Sequence, residues 1–125
     1  MSYVALATDR FDQVVRFYGE DLQLPVVADW DRAGGRGRRF DLGGGLRLEI
    51  LDNVRERRPL RLNEPEDRFH VVVEVDDIEA ARNRLPFTAP EPMDVSWGAR
   101  LFQIRDPDGV PVTFLQWNPP VSDPA

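Results

Sequence analysis

Residues 69–85, reading FHVVVEVDDIEAARNRL, decide the fold. The run from His70 to Val75 is rich in β-branched residues and alternates enough to read as a strand. It stops at Asp76-Asp77, whose short carboxylates suit the free amides of a first helical turn. Apolar residues then recur at helical period. The N-terminus says nearly the same. Ser2 to Ala7 reads as a half-buried strand, Thr8 or Asp9 offers the cap, and Phe11, Val14, Val15 and Tyr18 build one apolar helical face.

The echo extends along the chain. Tyr3 aligns with His70, Leu6 with Val73, Asp9 with Asp76, Phe11 with Ile78 and Val14 with Ala81. Leu24 to Trp30 reads as a strand and Ala33 to Gly37 as a turn. Strands Arg38–Leu42 and Leu46–Leu51 are joined at Gly43-Gly44-Gly45, where glycine supplies the positive φ of a hairpin. These two strands match Arg100–Ile104 and Val110–Leu115, with Phe40 set against Phe102 and Glu49 against Thr113. Asp106-Pro107-Asp108-Gly109 makes the turn between the later pair. Between them and the second helix, Pro86, Pro90 and Pro92 allow a short edge strand near Phe87 to Pro92. The chain therefore divides into module one (1–53), an arginine- and proline-rich connector (54–68), module two (69–117) and a tail (118–125). The fold class is α+β, two tandem βαβββ modules forming a cupped mixed sheet with helices on the outer face. The cup is the expected ligand site.

Composition narrows the chemistry. A chain of 125 residues with 42% hydrophobic and 30% charged residues is one globular domain. Its net charge of −6 argues against nucleic acid and anionic membranes, and favours cationic or neutral ligands. There is no cysteine, so thiolate metal sites and thiol nucleophiles are excluded. All 16 basic residues are arginine, which excludes a Schiff-base or Walker lysine. One histidine and three serines leave little for a hydrolytic triad. No apolar run approaches a membrane span or a signal sequence, so a cytoplasmic location is expected.

The segments YVALATDRFDQVVRFYGEDL, LRLEIL, FHVVVEVDDIEAA and FQIRDPDGVPVTFLQW together resemble the vicinal oxygen chelate superfamily. That superfamily includes glyoxalase I, methylmalonyl-CoA epimerase, extradiol dioxygenases and the fosfomycin- and bleomycin-resistance proteins. Gln23 stands where the family commonly has glycine. The resemblance implies metal ligands on the first and last strand of each module, which here are Tyr3, Glu49, His70 and Thr113. The family usually has His, Gln or Glu at the first and Glu at the last. This sequence keeps Glu49 and His70 and departs at Tyr3 and Thr113. The resemblance also implies a homodimer.

Two ligands hold a catalytic divalent ion poorly, since zinc sites use three protein ligands plus water and non-haem iron wants two histidines and a carboxylate. The extradiol dioxygenase reading thus fails on the single histidine. Strand alternation places Arg47, Glu49 and Leu51 in the cup opposite Leu48 and Ile50, and His70, Val72 and Glu74 in it opposite the core valines. Trp97, beside Gly98, is expected to line its mouth. The bland alternatives are an Arg47–Glu74 pair and a His70 hydrogen-bonded to Glu49 or Tyr3. The expected function is binding of a small cationic or aromatic molecule without a metal cofactor, as in the bleomycin-resistance branch. The alternative is a lyase or isomerase of the glyoxalase I or methylmalonyl-CoA epimerase kind, with Glu49 as base, His70 as ligand or acid, and Zn, Ni, Mn or Fe as cofactor.

Overall fold

The computed structural model describes residues 2–64 and 67–119. The tandem βαβββ order is present. Module one comprises β1 (Val4–Thr8), α1 (Phe11–Arg16), β2 (Val26–Arg32), β3 (Gly35–Gly43) and β4 (Leu46–Asp52). Module two comprises β5 (Val71–Glu74), α2 (Ile78–Asn83), β6 (Met93–Val95), β7 (Ala99–Arg105) and β8 (Pro111–Trp117). Each forms a four-stranded mixed sheet, in order β1-β4-β3-β2 and β5-β8-β7-β6. Within each sheet the first strand runs parallel to the last and the other pairings are antiparallel. Strands β1 and β5 are therefore both edge strands, hydrogen-bonded on one side only.

Strand alternation sends one face of each sheet under its helix. Phe40, Leu48 and Ile50 of the first sheet and Val71, Val73, Phe102, Ile104, Val112 and Phe114 of the second are buried with Phe11, Val14, Val15, Ile78 and Ala81 from the helices. These residues form one continuous cluster, so both covered faces share a core. Burying each such side chain stabilises the fold by about 1.5–3 kcal/mol. Among the described residues, no helix is long and apolar enough to cross a membrane.

Several expected boundaries shift for local reasons. The N-cap of α1 is Arg10, which makes no side-chain cap bond. Thr8 Oγ1 instead accepts from the Arg10 amide at 2.9 Å, and Asp9 accepts from the side chain of Asn53. At α2 the expected cap holds, with Asp77 accepting from the Ala80 amide. Helix α1 runs on into a wider π-helical turn, Phe17–Asp21, closed by Leu22 N–H donating to the Phe17 carbonyl. Gln23 follows at φ 58°, a left-handed conformation that glycine adopts more readily. The glycine-rich turn is shorter than expected, because β3 already starts at Gly35. The short edge strand lies beyond the prolines, at Met93–Val95 rather than Phe87–Pro92, where amides are free to pair with β7. The Gly43-Gly44-Gly45 hairpin has positive φ at all three positions, as expected. Asn53, the last residue of module one, is buried and exchanges two hydrogen bonds with the backbone of Leu60 in the connector. The tail from residue 120 onward lies outside the described residues.

The modules are tied through Tyr18, whose hydroxyl donates to Asp106 Oδ2 at 2.8 Å. Asp106 Oδ1 accepts from the amides of Asp108 and Val110, which sets the turn between β7 and β8. Beside this contact Phe17 stacks on Phe87. Burial, reinforced by the Asp106 charge, pushes the Tyr18 phenol far above its ordinary range, so it stays a donor. Burial also raises the Asp106 carboxyl, against the lowering effect of its three donors.

A Tyr18→Phe variant should lose about 1.5–3 kcal/mol of unfolding free energy in urea, since it strips a donor from a buried carboxylate. A carboxyl raised in the folded state binds protons more readily there than when unfolded. Its contribution is full below its unfolded value near ~3.9 and is lost as pH rises through the folded one. The stability of the native chain relative to Asp106→Asn should therefore increase as pH falls from neutral toward ~4.

Candidate functional site

The polar groups on the sheet faces opposite the core fall into two sets. In module one, Glu49 lies at the centre of β4, between Ala5 on β1 and Arg39 on β3. It is 5% exposed although it carries a charge. A carboxylate there needs a partner, and the partner is Arg39. Its Nε and Nη2 both donate to Glu49 Oε2, at 3.0 and 2.6 Å. The guanidinium lies 4.1 Å from the centre of the Tyr3 ring and 5.8 Å from that of Trp30. The hydrogen bonds to Glu49 hold the Arg39 pKa above its ordinary value.

Trp30 pairs with Gly37 across β2 and β3, and its indole lies so close over Gly37 that a Cβ there would overlap the ring. Glycine at this position is what lets the indole lie down beside Arg39. The half-site is thus a carboxylate neutralised by a guanidinium that packs against two aromatic rings.

In module two the equivalent place is Thr113, buried on β8 and accepting from Gln103 Nε2 at 3.1 Å. The registers make Gln103–Thr113 the counterpart of Arg39–Glu49. This corrects the sequence match of β3 with β7. Setting Phe40 against Phe102 puts Arg39 opposite Leu101, two residues off, whereas strand pairing puts Arg39 with Gln103 and Phe40 with Ile104. A two-residue slip keeps every side chain on its face, so the hydrophobic pattern cannot detect it. For that reason sequence reasoning missed Arg39 and Gln103. The excess of arginine was the available signal, whereas the Gly37–Trp30 contact exists only through the pairing of β2 with β3.

The remaining expected residues are dispersed. His70 is exposed just ahead of β5, and its Nε2 contacts the Asp67 carbonyl oxygen at 2.9 Å, so it bonds neither Glu49 nor Tyr3. Asp67 in turn is held by Arg105, which lowers the carboxyl below its usual value. Glu74 takes the indole N–H of Trp117 at 3.0 Å rather than Arg47. Trp97 packs edge-on against Trp117, with ring centroids 5.5 Å apart. The structure thus brings Tyr3 and Glu49 together around Arg39. No side-chain hydrogen bond or ion pair among the described residues joins that set to His70, Glu74 or Thr113.

The donor set does not suit a resident divalent ion. Among the described residues no three His, Asp or Glu side chains are grouped as metal ligands, and Glu49 already holds a cation in Arg39. Thr113 and Tyr3 offer hydroxyl oxygens in place of the imidazole or carboxylate donors of such sites.

Paired βαβββ modules with helices on one face and polar groups on the other define a class of two-module proteins. The chain belongs to the Glyoxalase/Bleomycin resistance protein/Dioxygenase superfamily, whose family model matches residues 1–114. It is similar in fold to SMU.1112c, with 22% identity, 92% of this chain and 96% of that chain covered, and a TM-score of 0.71. It is also similar to TnmS3, an antibiotic binding protein from Streptomyces sp. CB03234, at 20% identity, 93% coverage of both chains and a TM-score of 0.68. Lactoylglutathione lyase from Agrobacterium tumefaciens matches at 20% identity over 93% of this chain and 92% of that one, with a TM-score of 0.68. No curated protein sequence matches.

The Arg39–Glu49 pair should behave as a unit. Arg39→Met strands a buried carboxylate and should lower the melting temperature more than Glu49→Gln does. The Arg39→Met/Glu49→Leu double variant, with neither charge, should recover most of that loss, because replacing a whole pair by apolar residues is far less costly than breaking it.

Proposed function

We propose that this chain is a small-molecule binding protein that works without a catalytic metal. The observation that carries this reading is the Arg39 guanidinium seated on Glu49, where the resemblance would place a metal-ligating carboxylate. A fixed cation on the protein itself meets the charge that a divalent ion would otherwise meet. The ring of Trp30 beside it offers an apolar, polarisable surface for a planar ligand. The antibiotic-binding description of TnmS3 supports a binding role, and the lyase description of another neighbour supports the alternative.

Under the alternative, Glu49 would be base and His70 ligand or acid. Glu49 would first have to give up Arg39, and the exposed His70 would have to leave the Asp67 carbonyl. The binding reading requires neither change. Thermal unfolding with added zinc, nickel, manganese or ferrous iron separates the two. We expect no chelator-reversible rise in melting temperature, and a strong one overturns the binding reading.

The complete site is a homodimer feature. Strands β1 and β5 each leave one edge unpaired, and natural proteins cover such edges. Docking β1 of one copy near β5 of another would set the Tyr3–Arg39–Glu49 group beside the second copy's His70 and Thr113. The cysteine-free chain makes this measurable. Mixing Tyr3→Cys protein with His70→Cys protein under mild oxidation should give a covalent heterodimer. If only a double variant cross-links, within a single chain, the cup is intramolecular.

A further inference from the structure

A cavity lies at the other end of β5 from His70. It measures about 560 Å³ and opens between the β3–β4 hairpin and the ends of β5 and β8, lined by Leu46, Val72, Glu74, Asp76, Gln116 and Trp117 among others. This is within the size range of small-ligand sites. His70 and Glu74 are four residues apart, roughly 13 Å along a strand. None of Tyr3, Arg39, Glu49 and His70 lines the cavity, so its assignment does not rest on the reading given for them.

Three observations define its chemistry. First, its charges are of one sign. Elsewhere the arginines of this chain meet its carboxylates: Arg36 pairs with Asp12, Asp31 and Asp52, Arg38 with Asp29, Arg39 with Glu49, Arg100 with Glu79 and Asp94, and Arg105 with Asp67. No arginine lines this cavity. Arg84 lines an adjoining hollow with Glu74 and Asp76, but forms an ion pair with neither. Second, the indole of Trp117 is held in place by its N–H bond to Glu74 and by the edge contact of Trp97. A fixed indole beside a carboxylate favours a cation at its face. Third, Leu46 and Val72 are 47% and 44% exposed, giving an apolar wall for the body of a ligand.

We infer that this cavity is a binding site for an organic ammonium with an apolar body, its charge shared by Glu74, Asp76 and the face of Trp117. A quaternary ammonium satisfies it as well as a primary amine does, because the recognising groups act through charge and the indole face.

The test uses the full chain and benzyltrimethylammonium, with benzyl alcohol and benzoate as neutral and anionic counterparts of similar size, followed by calorimetry and tryptophan fluorescence. The ammonium should bind saturably, more tightly than either counterpart. Glu74→Gln and Trp117→Leu should each weaken it by about tenfold, and Asp76→Asn by less. Glu74 and Trp117 are exposed, so the variants should fold, which circular dichroism checks. Equal binding of benzoate or benzyl alcohol, unchanged affinity in both Glu74→Gln and Trp117→Leu, or no saturable binding of the ammonium overturns the assignment.

Discussion

Everything in this molecule follows from one constraint, that a β-strand presents its side chains alternately to two faces. Each four-stranded sheet gives one face to an apolar core shared by both modules. The residues on that face, from Phe40 and Ile50 to Phe102 and Val112, supply the bulk of the stabilisation. The exposed ion pairs, such as Arg16–Glu20, contribute at most about 1 kcal/mol each and decide little. The other face is released from packing and carries the polar groups. Glu49 is on that face because Leu48 and Ile50 are on the first.

The two modules have spent the same geometric freedom differently. At the centre of the first, the cross-strand pair is charged, Arg39 with Glu49, and flanked by Tyr3 and Trp30. At the centre of the second it is neutral, Gln103 with Thr113. Duplication preserved the strand order, the helix position and the register of the parallel pairs, while the side chains at matched positions diverged. A buried carboxylate retained with its own guanidinium keeps charge in the site without requiring an ion from solution.

The junction between the modules rests on a buried tyrosine and a turn. Tyr18 comes from the helical segment of module one and Asp106 from the turn before β8, so one hydrogen bond couples the two halves of the core. Asp106 also accepts two turn amides. The residue that shapes the turn therefore also docks it, which fixes how β8 enters its sheet.

Residues 69–85, their echo at the N-terminus and the matched strand pairs that follow each were enough to determine the α+β class and the duplicated βαβββ order. The alternation of Leu48 and Ile50 set the face on which Glu49 lies. These depend on period and composition, which are local. The glycine hairpin, the Asp77 cap and the Asp106–Gly109 turn were legible for the same reason. Which carboxylate meets which arginine was not. Arg39 reaches Glu49 through strand register, and a slip of two residues leaves the hydrophobic pattern unchanged while replacing every cross-strand partner. The placement of His70 against Asp67 and of Trp117 against Glu74 likewise depends on contacts between segments distant in sequence or on loop geometry. Periodicity assigns a side chain to a face; only the folded pairing of strands decides its neighbour.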